Sequence, residues 1–128
     1  MGDLTANFSS KEFECKHCDQ LVLSPLVPNA LQAMRERAGK PITINSGYRC
    51  PIHNKAVGGA PMSKHLKGIA VDFKIAGYSV FEMAALAESS LDFRNGGIGI
   101  YPEQGFVHAD VRSGPLRWIQ LKGKYYYF

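Results

Sequence analysis

The run Ile69-Ala70-Val71-Asp72-Phe73-Lys74-Ile75 alternates strictly. Ile69, Val71, Phe73 and Ile75 fall on one side of an extended chain, and Ala70, Asp72 and Lys74 fall on the other. A period of two marks a strand with one face against a core. It also sets a carboxylate, Asp72, on the face away from that core. Downstream, residues 98–101 and 106–111 read as two strands joined around Pro102-Glu103-Gln104-Gly105. In the second of these, Val107, Ala109 and Val111 alternate with Phe106, His108 and Asp110. Residues 118–121, then 124–128 after Gly123, suggest a last hairpin, whose aromatic residues Tyr125-Tyr126-Tyr127-Phe128 are expected to close the sheet or cover a core.

Working outward, the period changes to that of a helix. Ser79 to Leu91 carries Val80, Met83, Ala84, Ala87 and Leu91 on one side. Pro25 to Ala38 carries Val27, Leu31 and Met34 and is ended by Gly39. Ile42-Thr43-Ile44-Asn45 is a short β-branched strand leading into the turn Ser46-Gly47, and residues 51–57 form one or two helical turns opened by Pro51. Ser9 and Glu12 have capping-box spacing and predict a short turn through Phe13. Together these predict a single α+β domain over residues 1–128, with an antiparallel sheet and helices packed on one side.

Hydrophobic residues at 45% and charged residues at 20% are those of an ordinary soluble globular chain. No apolar run approaches the roughly 18–20 residues that span a bilayer, so no transmembrane segment is expected. The opening Met1-Gly2-Asp3-Leu4 lacks the basic-then-apolar layout of a signal peptide, which predicts a cytoplasmic product as synthesised. The net charge of +4 suits an anionic partner. The basic residues are spread out, with no dense run or basic helix, so nucleic acid is not the expected one.

His65 lies in a loop just before the strand, Asp72 within it, and His108 on a separate strand, the last two opposite apolar stripes. Two imidazoles and a carboxylate are the ligand set of a catalytic zinc site with one position left for water. Gly68, between His65 and Asp72, permits the bend that lets both reach one ion. Taken singly, Asp72 has an ordinary reading as an exposed strand residue or a turn-forming partner, and His108 as a hydrogen-bonded histidine on a polar sheet face.

Ser63-Lys64-His65-Leu66-Lys67-Gly68-Ile69-Ala70-Val71-Asp72 matches S-x-H-x-x-G-x-A-x-D, and in these residues the chain resembles the zinc D-Ala-D-Ala carboxypeptidase and endopeptidase family. Ser46-Gly47-Tyr48-Arg49 is similar to that family's S-G-Y-R segment, and Phe106-Val107-His108-Ala109-Asp110 to its H-x-D strand. The resemblance implies a hedgehog/D-Ala-D-Ala peptidase-like fold, with His65, Asp72 and His108 as zinc ligands. Arg49 would bind substrate and stabilise the developing oxyanion. Ser63 would bind substrate by a hydrogen bond near the metal, or cap its loop. Many relatives carry a general-base carboxylate three residues before the last zinc histidine, where this chain has Gly105. Asp110 would then be the base, or else hold a ligand's second nitrogen. Glu103 is the reserve candidate, with a solvated turn as its ordinary role.

Cys15-x-x-Cys18 and Cys50-x-x-His53 have the gaps of a second, structural zinc site. His17 competes as a ligand, and burial of free thiols or a disulfide from Cys50 to Cys15 or Cys18 are the other readings.

The function expected by resemblance is zinc-dependent hydrolysis of peptidoglycan stem peptides or cross-links. The setting is a monomeric phage endolysin or bacterial enzyme that reaches the wall after phage-mediated or holin-type release. Water activated by zinc would lose its proton to Asp110 while Arg49 steadies the substrate. The rival is a non-catalytic zinc-containing wall-binding module, which Gly105 favours. A third reading, a DNA-binding zinc domain on the cysteines, leaves His65, Asp72 and His108 without a role.

Overall fold

A computed structural model describes residues 2–128; Met1 of the opening segment lies outside them. A 3₁₀ turn, Ser10–Phe13, comes first, and the Glu12 carboxylate accepts the Ser9 N–H at 2.7 Å as the capping spacing requires. Then follow α1 (Leu26–Ala38), β1 (Thr43–Ser46), α2 (Pro51–Ala56), a second 3₁₀ turn (Lys64–Lys67) and β2 (Ala70–Lys74). The remainder is α3 (Val80–Glu88), α4 (Leu91–Arg94), β3 (Gly97–Tyr101), β4 (Phe106–Asp110), β5 (Leu116–Leu121) and β6 (Lys124–Tyr127).

The six strands form one sheet in the order β1-β2-β4-β3-β5-β6. Ile44, Val71, Phe73, Ile98, Ile100, Val107 and Ala109 make one core with Val27, Leu31 and Met34 of α1, Met83 and Ala87 of α3, and Phe93 of α4. This is the α+β arrangement the periodicities predict.

Three details differ from the sequence reading. The sheet is mixed: β3 and β5 run parallel while the other pairs are antiparallel. After β4 the chain crosses the start of β3, where Leu116 N–H bonds Gly96 O at 3.1 Å, and enters on its far side. Side-chain alternation reports which residues share a face, not which strand lies alongside. The helix expected through Leu91 stops at Glu88, because Ser89 Oγ takes the Leu86 carbonyl and Ser90 Oγ the Ala30 carbonyl. Leu91 opens α4 at 60% exposure, and Phe93 fills the core in its stead. The tail aromatics close the edge of the sheet as β6 but cover no core, since every residue of β6 is exposed.

Candidate active site

Register assembles the site. Asp72 of β2 pairs with His108 of β4, His108 with Gly99 of β3, and Gly99 with Trp118 of β5. These four stand in one row across the sheet, on the face away from α1, α3 and α4. A Cβ at Gly99 would lie 2.3 Å from the Trp118 ring, so only glycine leaves room for the indole to reach His108, at 5.2 Å between ring centroids. His65 arrives from the second 3₁₀ turn. Ser63 Oγ caps that turn by accepting the His65 N–H at 3.2 Å, and Gly68 ends it at φ 69°.

Three atoms converge. His65 Nε2 lies 3.2 Å and His108 Nδ1 3.1 Å from Asp72 Oδ1, and all three residues are buried. The outer ring nitrogens are tied elsewhere: His65 Nδ1–H donates to the Gly47 carbonyl and His108 Nε2–H to Asp110 Oδ2, both at 2.7 Å. With hydrogens on the outer nitrogens, the inner atoms are three acceptors facing one another. That arrangement is repulsive until a cation or further protons stand among them. Ligands on a tetrahedral zinc ion sit about 3.3–3.5 Å apart, close to the spacing found here. The donor set fits a divalent metal.

The charges agree. Burial pushes the Asp72 carboxyl up, but the neighbouring imidazoles of His65 and His108 outweigh it and leave it well below the usual range. Burial pushes His108 down, while the carboxylates of Asp110 and Asp72 raise it further, so its net shift is upward.

Arg49 donates from Nε to Ser46 Oγ at 3.0 Å, from one terminal nitrogen to Asn54 Oδ1 at 3.2 Å, and from the other to Asp72 Oδ2 at 3.0 Å. Three of the guanidinium's five N–H groups are thus used, leaving two for a ligand in the cleft it lines.

Asp110 and Glu103, the base candidates, do not face the cleft. Asp110 is fully buried, and its oxygens accept from His108, from the Gly97 and Arg112 N–H groups, and from the Arg112 guanidinium. Burial pushes its carboxyl up, but His108 and Arg112 outweigh that and hold it far below the usual range. Spacing along a strand did not reveal that Arg112 would claim it. Glu103 accepts the Lys122 N–H at 3.0 Å and braces the β5–β6 turn. Among the described residues, Asp72 is the only carboxylate lining the cleft.

The cleft measures about 510 Å³, and beside the converging residues it is lined by Lys64, Tyr101, Arg112, Trp118 and Tyr125. Of these, Arg112, Tyr101 and Trp118 escaped the sequence reading. Trp118 Nε1 donates to the Tyr101 hydroxyl at 3.0 Å, and the Arg112 guanidinium lies 5.2 Å over the indole. Opposite charges two apart, Asp110 and Arg112, were the one available hint. Burial raises the Tyr101 hydroxyl, which keeps it neutral.

A second cluster lies outside the cleft. The sulfurs of Cys15, Cys18 and Cys50 lie within 4.8 Å of one another, all as free thiols. His17 Nδ1 stands 3.5 Å from Cys50 Sγ. The imidazole of His53, expected here from its spacing, makes no such contact: its backbone N–H bonds Cys50 Sγ, because His53 sits in the first turn of α2, which Cys50 caps.

Residues 5–110 match the peptidase M15 family, a span holding both clusters. The chain belongs to that family. Among its relatives, the probable peptidoglycan L,D-endopeptidase MepK of Haemophilus influenzae is 41% identical over 81 residues, covering 59% of this chain and 41% of the relative. The peptidoglycan L,D-endopeptidase MepK of Escherichia coli K12 is 37% identical over 83 residues, 61% of this chain and 43% of that one. The zinc D-Ala-D-Ala carboxypeptidase of Streptomyces albus G is 54% identical over 43 residues, 33% of this chain and 17% of the relative. This M15 chain thus spans about two fifths of the length of the MepK relatives it matches. The M15 match ends at residue 110, so β5, which carries Trp118, and β6 lie beyond it. Among the described residues, no helix is long and apolar enough to cross a membrane.

Proposed function

We propose that this chain is a zinc-dependent peptidase of bacterial peptidoglycan, cutting stem peptides or cross-links, with an L,D-linked peptide as the first substrate to test. The observation that carries the reading is the convergence of His65 Nε2, Asp72 Oδ1 and His108 Nδ1 at the wall of a cleft, with every competing nitrogen tied off. One zinc ion held by these residues supplies Lewis acidity, which lowers the pKa of water and polarises a peptide carbonyl.

The chain's own residues do the rest. Gly47 and Asp110 fix the two imidazoles in the tautomers that present lone pairs inward. Asp110 is thereby a positioning residue. Arg49, anchored by Ser46, Asn54 and Asp72, turns its two remaining N–H groups to a substrate carbonyl or carboxylate. Lys64 and Arg112 add positive charge to the cleft, which suits an anionic stem peptide. Ser63 holds the turn that carries His65. The relatives named for action on peptidoglycan, and the net charge of +4, support the wall as partner. The phage-lysis setting expected from the sequence belongs to this same proposal, as do a single functional domain and action as a monomer.

A second reading has its own support: among the described residues, the cleft holds no carboxylate free to take a proton, as befits a wall-binding module. Digestion of purified peptidoglycan by the zinc-loaded protein, with His108→Ala as control, separates the two. Peptide release lost in the control supports the peptidase. Tight wall binding with no release by the unmutated protein overturns it.

A further inference from the structure

The loop after the first 3₁₀ turn folds back on itself, Cys15 N–H bonding Gln20 O at 2.8 Å and Asp19 N–H bonding Cys15 O at 2.9 Å. That closure brings Cys15 and Cys18 against Cys50, the residue that caps α2. Two backbone N–H groups point at sulfur, that of Cys50 at Cys15 Sγ and that of His53 at Cys50 Sγ, both at 3.4 Å. Donors aimed at sulfur favour the charged thiolate, which is the metal-binding form.

We propose that Cys15, Cys18, Cys50 and His17 hold a structural zinc ion, separate from the ion of the cleft. Three thiolates and one imidazole make a closed tetrahedral set with no position left for water. On such an ion a sulfur at about 2.3 Å and a nitrogen at about 2.0–2.1 Å stand about 3.5–3.6 Å apart. His17 Nδ1 lies 3.5 Å from Cys50 Sγ, and a turn of its ring toward the sulfurs of Cys15 and Cys18 would complete the set. A disulfide would consume two of the thiols and leave the third and the imidazole without a partner.

The ion's position gives it a task. Cys50 directly follows Arg49, whose guanidinium bonds Asp72. Two residues before Arg49, Gly47 receives the Nδ1–H of His65, and Tyr48 N–H bonds Phe13 O at 2.9 Å. A zinc clip from the 15–18 loop to residue 50 holds the strip of backbone that orients both His65 and Arg49. This inference needs only the cysteine cluster and stands apart from the peptidase reading.

The test counts zinc on the full chain by elemental analysis and replaces it with cobalt(II). The unmutated protein should bind about two ions per chain, and His108→Ala and Cys18→Ser about one each. Cobalt in His108→Ala should show the near-ultraviolet thiolate-to-cobalt charge-transfer band, and cobalt in Cys18→Ser should lack it. Cys18 is the thiol to change because it is partly exposed, and Cys50→Ser repeats the test at a buried position. In zinc-loaded His108→Ala, the thiols should resist alkylation until a chelator is added. His17→Ala should weaken zinc retention at this site at least about tenfold, and His53→Ala should not. A single ion that disappears in His108→Ala, a band absent from that variant, or a disulfide found by mass in the purified protein would overturn the proposal. Selective loss in His53→Ala would overturn the choice of His17. Two bound ions without hydrolysis would count against the peptidase reading and leave this one standing.

Discussion

Asp110 Oδ2 accepts the Nε2–H of His108 at 2.7 Å, and this bond turns His108 Nδ1 toward Asp72 Oδ1 at 3.1 Å. The carboxylate two residues along the strand therefore acts on the metal centre from behind.

Asp110→Ala accordingly should lower zinc affinity about 10–100-fold, measured by competition with a chelator. It also strands the partly buried Arg112 and leaves the inner hydrogen-bond partners unpaired, a loss of about 3–5 kcal/mol in denaturant unfolding. A general base would behave otherwise, losing turnover with zinc affinity intact. Glu103→Ala should leave hydrolysis unchanged and cost only about 0.5–1.5 kcal/mol at the β5–β6 turn.

Removing zinc with a chelator should abolish peptide release, and zinc alone should restore it. Metal bound at about 1,000 times its dissociation constant stabilises the fold by about 4 kcal/mol, so the melting temperature should rise with zinc concentration. In His108→Ala the part of that rise owed to the cleft should vanish. An unchanged zinc dependence in that variant would mean that His108 is no ligand.

Arg49→Lys keeps the charge but cannot reach Ser46, Asn54 and Asp72 at once from a single ammonium. It should lower kcat/KM on a stem peptide about 10²–10³-fold, with zinc content preserved. Near-wild-type kcat/KM would show that Arg49 serves only as a charge.

Gly99→Ala should displace the indole of Trp118 from beside His108, at a cost of about 1–3 kcal/mol. Trp118 is the only tryptophan, so its fluorescence reports the displacement directly. An unshifted spectrum with unchanged stability would refute the packing argument.

Alternation and local spacing carried much of this molecule. The period of two in 69–75 and 106–111 set Val71, Phe73, Val107 and Ala109 in the core and put Asp72 and His108 opposite them, because side-chain direction along a strand follows from backbone geometry alone. The gaps Cys15-x-x-Cys18 and Ser9-x-x-Glu12 were equally readable, since such motifs close within a few residues. What lay beyond the sequence depended on which segments become neighbours. The parallel seating of β5 on β3 brings Trp118 into the row of Asp72 and His108, and no local pattern encodes that choice. Asp110 looks in sequence like a carboxylate free to take a proton; folding buries it between His108 and Arg112 and uses its oxygens. His53 has the better spacing for the thiols, yet His17 is the imidazole whose Nδ1 stands beside one of them, 3.5 Å from Cys50 Sγ. A residue's chemistry is local, but whether its polar atoms are free is settled by partners that only the tertiary structure supplies.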